Sequence, residues 1–209
     1  MKTISALARV LILGLSLATA SAQALVLLDT SGSVSANDPT QLGRLSRNGI
    51  LQDWAGSEPY PGIINPTIAY HYVTYLINVG ITPFVQISMD SNSTSTFASA
   101  YQTSYNPDPT DPINRGLDDN WLGDAGTSGN FFGQPLFFQV TAQLNSWIVV
   151  VINQTGSGAA GLDDPFNLLV EGFIDTEYSD PAQVPEPATL LLSLVGLGLV
   201  AGQRMSKRA

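Results

Sequence analysis

The stretch Asp29-Thr30-Ser31-Gly32-Ser33 places three oxygen-bearing side chains at alternate positions, directly after the apolar run Leu25-Val26-Leu27-Leu28. Carboxylate and hydroxyl oxygens are the ligands that hard cations such as Mg²⁺ and Ca²⁺ prefer in proteins. Asp29, Ser31 and Ser33 therefore form one candidate metal site. A turn between short edge strands explains the same residues without a metal, because Ser and Gly favour turns.

The Asp-x-Ser-x-Ser spacing resembles the metal-ion-dependent adhesion site of von Willebrand factor A domains. The resemblance implies that Asp29, Ser31 and Ser33 hold Mg²⁺ and that the protein adheres to a ligand through that ion. It also implies a central strand followed at once by a helix. Here Ala36-Asn37-Asp38-Pro39 follows instead, and the remaining sequence lacks helical periodicity.

A second group of oxygen donors lies in Asp118-Asp119-Asn120-Trp121-Leu122-Gly123-Asp124, at the centre of a polar, Pro-rich and acidic stretch, 106–133. Asp118, Asp119 and Asp124 could bind Ca²⁺. The spacing does not match an EF-hand, and the bridging Glu is missing. The alternative is an ordinary surface loop with Trp121 and Leu122 packed into the core.

His71 is the single histidine and the one candidate general base in the chain. A hydrolase would need a nucleophile beside it, but nothing around His71 matches a G-x-S-x-G nucleophile elbow. The surrounding segment predicts a β-strand, in which a hydrogen-bonded structural histidine is the simpler interpretation.

Composition excludes several classes of function. The chain has 209 residues, 8 Lys and Arg against 17 Asp and Glu, and no cysteine. Most of the cations lie near the two ends, so the middle is strongly acidic, which argues against nucleic-acid binding. Without cysteine there is no disulfide framework, no thiol nucleophile and no Cys-based zinc site.

Residues 25–177 predict one all-β domain. Alternating or continuous apolar patterns rich in β-branched and aromatic residues indicate strands at 67–79, 82–89, within 93–104, and at 166–174. Residues 135–143 and 147–153 predict a hairpin across Leu144-Asn145-Ser146, whereas 52–66 predict a loop. We expect an antiparallel β-sandwich or jelly roll, with the doubly apolar strand 147–153 in the centre of its sheet.

Both ends of the chain predict processing segments. Residues 1–24 combine Lys2 and Arg9, a short apolar run and small-residue cleavage sites such as Ala22-Gln23-Ala24, which is typical of a secretory signal peptide. At the other end, a linker (178–187) leads into an apolar stretch at 188–202. Basic residues follow it, so residues 188–209 predict a short transmembrane helix with its basic end in the cytoplasm.

The C-terminal pattern resembles the PEP-CTERM sorting tail of Gram-negative bacteria. The motif is Pro185-Glu186-Pro187, and the basic stop consists of Arg204, Lys207 and Arg208. The resemblance implies export by the Sec machinery and signal peptidase. It also implies a transient anchor in the inner membrane, tail removal by an exosortase, and a final place at the cell envelope surface or outside the cell.

The sequence therefore predicts an exported, non-enzymatic protein without a required cofactor. Association with the family implies a structural or adhesive role in exopolysaccharide or biofilm. A metal-dependent adhesion module built on Asp29, Ser31 and Ser33, and a hydrolase built on His71, are the alternatives.

Overall fold

The described part of the chain contains nine β-strands joined by turns and loops. The computed structural model describes residues 24–54, 56, 58–108, 116–129 and 136–176, and Gln23–Thr176 form one compact unit. In chain order the strands are β1 (Leu25–Gly32), β2 (Thr40–Leu45), β3 (Ile63–Asn78), β4 (Phe84–Ser91), β5 (Thr96–Gln102), β6 (Trp121–Asp124), β7 (Leu136–Thr141), β8 (Trp147–Gln154) and β9 (Phe166–Phe173).

The strands form two antiparallel sheets. One is four-stranded in the order β1-β9-β4-β7, and the other is five-stranded in the order β2-β3-β8-β5-β6. No helix occurs among the described residues. The all-β prediction is confirmed, and β8 is the central strand of its sheet, as its two apolar faces predict.

The main core lies between the two sheets. In β4, Val85, Ile87 and Met89 are buried while the intervening side chains are more exposed, which confirms the alternation expected from the sequence. These residues pack with inward-facing side chains of β7, β8 and β9 into one cluster that contains members of both sheets. The shared cluster makes the fold a β-sandwich.

The five-stranded sheet is also covered on its outer face. Tyr101, Val149 and Val151 of β5 and β8 are buried there beneath Tyr72, Tyr105 and Trp121. The rings meet mostly edge to face: Tyr72 and Tyr105 have centroids 5.3 Å apart, and Tyr60 and Trp121 have centroids 5.6 Å apart. This aromatic layer gives a protein without disulfides a second apolar cluster.

The predicted hairpin is wrong. β7 pairs with β4 in the four-stranded sheet, whereas β8 pairs with β3 and β5 in the other sheet. The turn at Leu144-Asn145-Ser146, with Asn145 at a φ of 55°, carries the chain from one sheet to the other. The local turn residues favour a reversal but do not determine whether the second strand pairs with the first.

Two segments predicted as loops contain strands. β3 begins at Ile63 rather than at residue 67, because its pairing with β2 resumes at Arg44 and Leu45 after an irregularity between Leu42 and Arg44. Asn65, at a φ of 52°, and Pro66 lie in that irregular part, where a missing ladder N–H is tolerated. β6 is a four-residue edge strand that pairs with β5 inside the predicted acidic loop.

The predicted signal peptide and C-terminal transmembrane helix lie outside the described residues. Within the part of the chain that the structure describes, there is no helix long and apolar enough to cross a membrane.

Candidate functional site

The Asp-x-Ser-x-Ser motif lies mainly within a strand. Asp29 and Ser31 are exposed residues of β1, and Ser33 follows the strand half-buried. β1 is one of the two edge strands of its antiparallel sheet, and no helix follows it. The central strand and following helix that the von Willebrand factor A resemblance implies are therefore absent from this part of the chain.

The motif serine joins polar residues from two neighbouring strands. Asn167 of β9 pairs with Ser31 of β1 on one side and with Asp90 of β4 on the other, and Ser31 Oγ donates a hydrogen bond of 2.8 Å to Asn167 Oδ1. The three residues line a cleft of about 170 Å³. A small-molecule pocket usually measures roughly 300 Å³ or more, so the cleft does not enclose a substrate.

The sequence did not connect Asp90 and Asn167 with the motif, because the three residues lie far apart along the chain. The only signal that could have joined them is the register of β1, β9 and β4, and register depends on tertiary pairing.

The second group of predicted oxygen donors is divided by β6. Asp118 is exposed and Asp119 half-buried in the turn that precedes the strand, whereas Asp124 is its last residue and has no exposed surface. Within the described residues, no group of three Asp, Glu, His or Cys side chains is placed to hold a metal ion. Cation binding at either predicted site stays a prediction.

Asp124 is the most perturbed carboxyl group near these predicted sites. Its Oδ1 accepts a hydrogen bond of 2.8 Å from the Gly126 backbone N–H, while its Oδ2 is buried without a hydrogen-bond partner. Burial raises the pKa of the Asp124 carboxyl from 3.8 to about 7; the Gly126 N–H opposes this rise, and the charge of Glu58 adds to it. Asp124 therefore changes charge near neutral pH.

Other buried polar atoms surround Asp124. Trp121 Nε1 favours the ionised carboxylate electrostatically but makes no hydrogen bond of normal geometry, and the Tyr60 hydroxyl is likewise buried without a partner. Burial, followed by the negative charges of Asp118 and Asp124, raises the pKa of Tyr60. The phenol and the indole N–H are hydrogen-bond donors, so they suit a carboxyl oxygen or a buried water molecule better than a cation.

His71 has a structural environment. Its Nδ1 donates to the Asp38 carbonyl oxygen at 2.8 Å, and its backbone N–H donates to Gln154 Oε1. The ring is thus bonded to a main-chain carbonyl, whereas a catalytic base is usually oriented by a carboxylate. Tyr75 and Ile77, on the same face of β3 as His71, pack into the main core.

Comparison with known families identifies the C-terminal segment. Residues 183–208 match the PEP-CTERM protein-sorting motif, so the chain carries this motif at the positions that the sequence predicts. The match covers Pro185, Glu186 and Pro187 together with Arg204, Lys207 and Arg208, all of which lie outside the described residues. No curated protein matches the chain.

The motif implies export, a location at the cell envelope, and processing by an exosortase. The β-rich fold of the preceding residues is consistent with a protein of that kind.

Proposed function

We propose that this chain is a non-catalytic surface protein that an exosortase releases from a transient membrane anchor. The match at residues 183–208 carries the proposal. Residues 1–24 act as the signal peptide, and residues 188–209 hold the exported chain in the inner membrane. Cleavage near Pro185-Glu186-Pro187 then frees the sandwich domain for the envelope surface or the extracellular space.

The environment of the candidate catalytic residues supports a non-catalytic domain. The His71 ring is bonded to a backbone carbonyl, and the cleft beside Ser31 is smaller than an ordinary substrate pocket. Asp124 has a strongly raised pKa, but it is fully buried and cannot reach a substrate without local opening.

The outer face of the four-stranded sheet supports a structural or adhesive role in an extracellular polysaccharide matrix. Asp29, Asp90 and Asn167 are exposed on this face, and Ser31 lies beside Asn167. Carboxylate, amide and hydroxyl groups exchange hydrogen bonds with sugar hydroxyls. The acidic composition also keeps the domain soluble among matrix polymers.

The intact mass of the protein, measured in the membranes and in the medium of the producing cells, tests the proposal. We expect a membrane-bound precursor and a released form that ends near Pro187. In cells without exosortase, only the precursor should accumulate. Glu186→Ala should block release, whereas Pro181→Ala, in the same linker but outside the three-residue motif, should leave release unchanged.

A protein that keeps residues 190–209 in all fractions of cells with an active exosortase would overturn the processing step. The chain would then be a permanently tail-anchored surface protein. Equal release of Glu186→Ala and the parent chain would show that another protease cuts the linker.

Pull-down with the matrix polysaccharide of the producing cells tests the finer role. We expect the released domain to be retained, and Asp90→Ala combined with Asn167→Ala to weaken retention. The substitutions are on an exposed surface, so unchanged melting temperatures would separate lost binding from lost folding. Equal retention of the double variant would remove this face from the proposal.

A further inference from the structure

The two ends of the sandwich differ in polarity. At one end, the connections β1–β2, β4–β5 and β8–β9 carry Asp38, Asn92, Asp163 and Asp164. The other end exposes the large apolar side chains of Leu25, Leu76, Ile81, Leu144, Trp147 and Ile174, and we call it the apolar end; the exposed Leu42, Ile50, Ile63 and Ile68 lie outside it, on β2, β3 and their connection. Large contiguous apolar surfaces on a soluble domain usually mark an interaction site.

Hydrogen bonds between connections bring much of the apolar end together. The Asn145 N–H donates to the Gly80 carbonyl at 2.6 Å, so Leu144 and Ile81 lie on adjacent turns. Asn78 pairs with Trp147 and Leu76 pairs with Val149, which makes Leu76 and Trp147 diagonal neighbours on one sheet face. Ile81 is 66 % exposed, Leu144 59 % and Trp147 44 %, so packing inside the domain does not explain these residues.

The chain enters and leaves the domain at this same end. β1 begins at Leu25 and β9 ends at Phe173, and these strands pair so that Leu25 lies opposite Gly172. Residues 177–187 separate Thr176 from the apolar C-terminal stretch that begins at Ala188. Eleven residues span at most roughly 40 Å when fully extended, so a membrane-held tail limits the distance between the apolar end and the bilayer to about this length.

We propose that the apolar end is a membrane-facing surface that rests in the lipid interface while the tail is anchored. This inference depends on the proposed function, because the tail supplies the proximity. Ile81 and Leu144 enter the headgroup boundary, and Trp147 takes the interfacial position that its apolar ring and polar N–H favour. The acidic opposite end then points away from the membrane.

The charge distribution specifies the lipid chemistry. The described residues include two arginines, Arg44 and Arg47, and no lysine. Both arginines lie away from the apolar end: Arg44 is in β2, and Nη1 of Arg47 is 2.8 Å from Ser128 Oγ. Glu171 and Asp175 lie near the apolar end instead. Contact with the bilayer therefore rests on apolar burial, and anionic lipid should not strengthen it.

Site-directed spin labelling of the full chain tests the proposal, because the absence of native cysteine allows a single label at any chosen position. Leu144→Cys and Ile81→Cys report the apolar end. Ala159→Cys, exposed in the β8–β9 connection at the opposite end, is the matched control. The chain is reconstituted in phosphatidylcholine vesicles, and each label is compared in its collisions with oxygen, which concentrates in lipid, and with a water-soluble nickel chelate.

We expect the labels at residues 81 and 144 to collide more often with oxygen and less often with nickel than the label at residue 159. The difference should persist in high salt and should not grow when phosphatidylglycerol is added. Trp147→Ser should reduce this difference in collision frequency between the two ends. An unchanged melting temperature would show that the exposed substitution leaves the fold intact.

Three results would overturn the inference. If the full chain floats with the vesicles but all three labels remain equally accessible to nickel, the apolar end does not touch lipid although the anchor exists. If the chain does not float with the vesicles, the anchor in the proposed function fails together with this inference. If the labels at residues 81 and 144 broaden with protein concentration in detergent without lipid, the apolar end is a contact between copies of the chain.

Discussion

Replacing Asp124 by Asn should remove a specific pH dependence from the stability of the sandwich. Burial raises the pKa of Asp124 from 3.8 to about 7, so the folded state binds its proton more tightly than the unfolded state. The free energy of unfolding should therefore fall as the pH rises from about 4 to about 7, and stay lowered above that range.

The size of the effect follows from the pKa. At 1.36 kcal/mol per pKa unit, a rise from 3.8 to about 7 corresponds to ~4 kcal/mol of stability lost above neutral pH. Asn keeps an oxygen for the Gly126 N–H but places a second donor near Trp121 Nε1, which offsets part of the gain. We expect Asp124→Asn to be more stable than the parent by roughly 2–4 kcal/mol at about pH 8, and the difference to shrink towards pH 4.

Thermal unfolding of the full chain in a mild non-ionic detergent, followed by tryptophan fluorescence, measures the difference. For a domain of this size, the expected gain in melting temperature at about pH 8 is roughly 4–16 °C. Asp118→Asn, which removes the same charge from an exposed position preceding β6, is the control and should not reproduce the gain. Parallel pH curves for Asp124→Asn and the parent would refute the reasoning, because they would show that folding does not raise the pKa of Asp124.

Two further predictions concern backbone space and metal binding. Gly129→Ala should cost several kcal/mol more than Gly158→Ala: both glycines have a positive φ, but a Cβ on Gly129 would lie 1.6 Å from the Ser93 carbonyl oxygen, whereas a Cβ on Gly158 meets open space. Urea unfolding measures the two costs, and similar values would contradict the reasoning. Adding Ca²⁺, Mg²⁺ or EDTA should leave the melting temperature of the parent unchanged, because Ser31 Oγ of the motif is already bonded to Asn167 and because Asp124, unlike the exposed Asp118, is fully buried; a Ca²⁺-dependent or Mg²⁺-dependent rise that Asp29→Asn abolishes would establish the motif as a metal site.

Residue patterns predicted the strands whose environment is local and regular. The alternation in β4 gives its buried face directly, and the doubly apolar β8 could only be a central strand. Sheet membership was not predictable in the same way. The residues that turn the chain after β7 would suit a hairpin equally well. Whether β8 pairs with β7 or joins the other sheet depends on which strands and side chains cover its two apolar faces.

The candidate sites show the same division. The sorting motif could be identified from sequence because its parts are contiguous and occur in a fixed order, and the family match at residues 183–208 confirms it. The polar row of Ser31, Asn167 and Asp90 could not be identified, because it exists only through strand register. Burial of Asp124 was also missed, because Asp118-Asp119-Asn120 suggested a solvated loop and concealed the strand after it.

The absence of cysteine makes the aromatic layer important to the stability of an exported domain. A disulfide stabilises a fold by reducing the conformational entropy of the unfolded chain, but this sequence contains no cysteine. Instead, Tyr101 and Val149 are buried beneath Tyr105 and Trp121 on the face of the five-stranded sheet opposite the main core. Burial on both faces therefore stabilises β8 and β5, the antiparallel neighbours that connect the two ends of the sandwich.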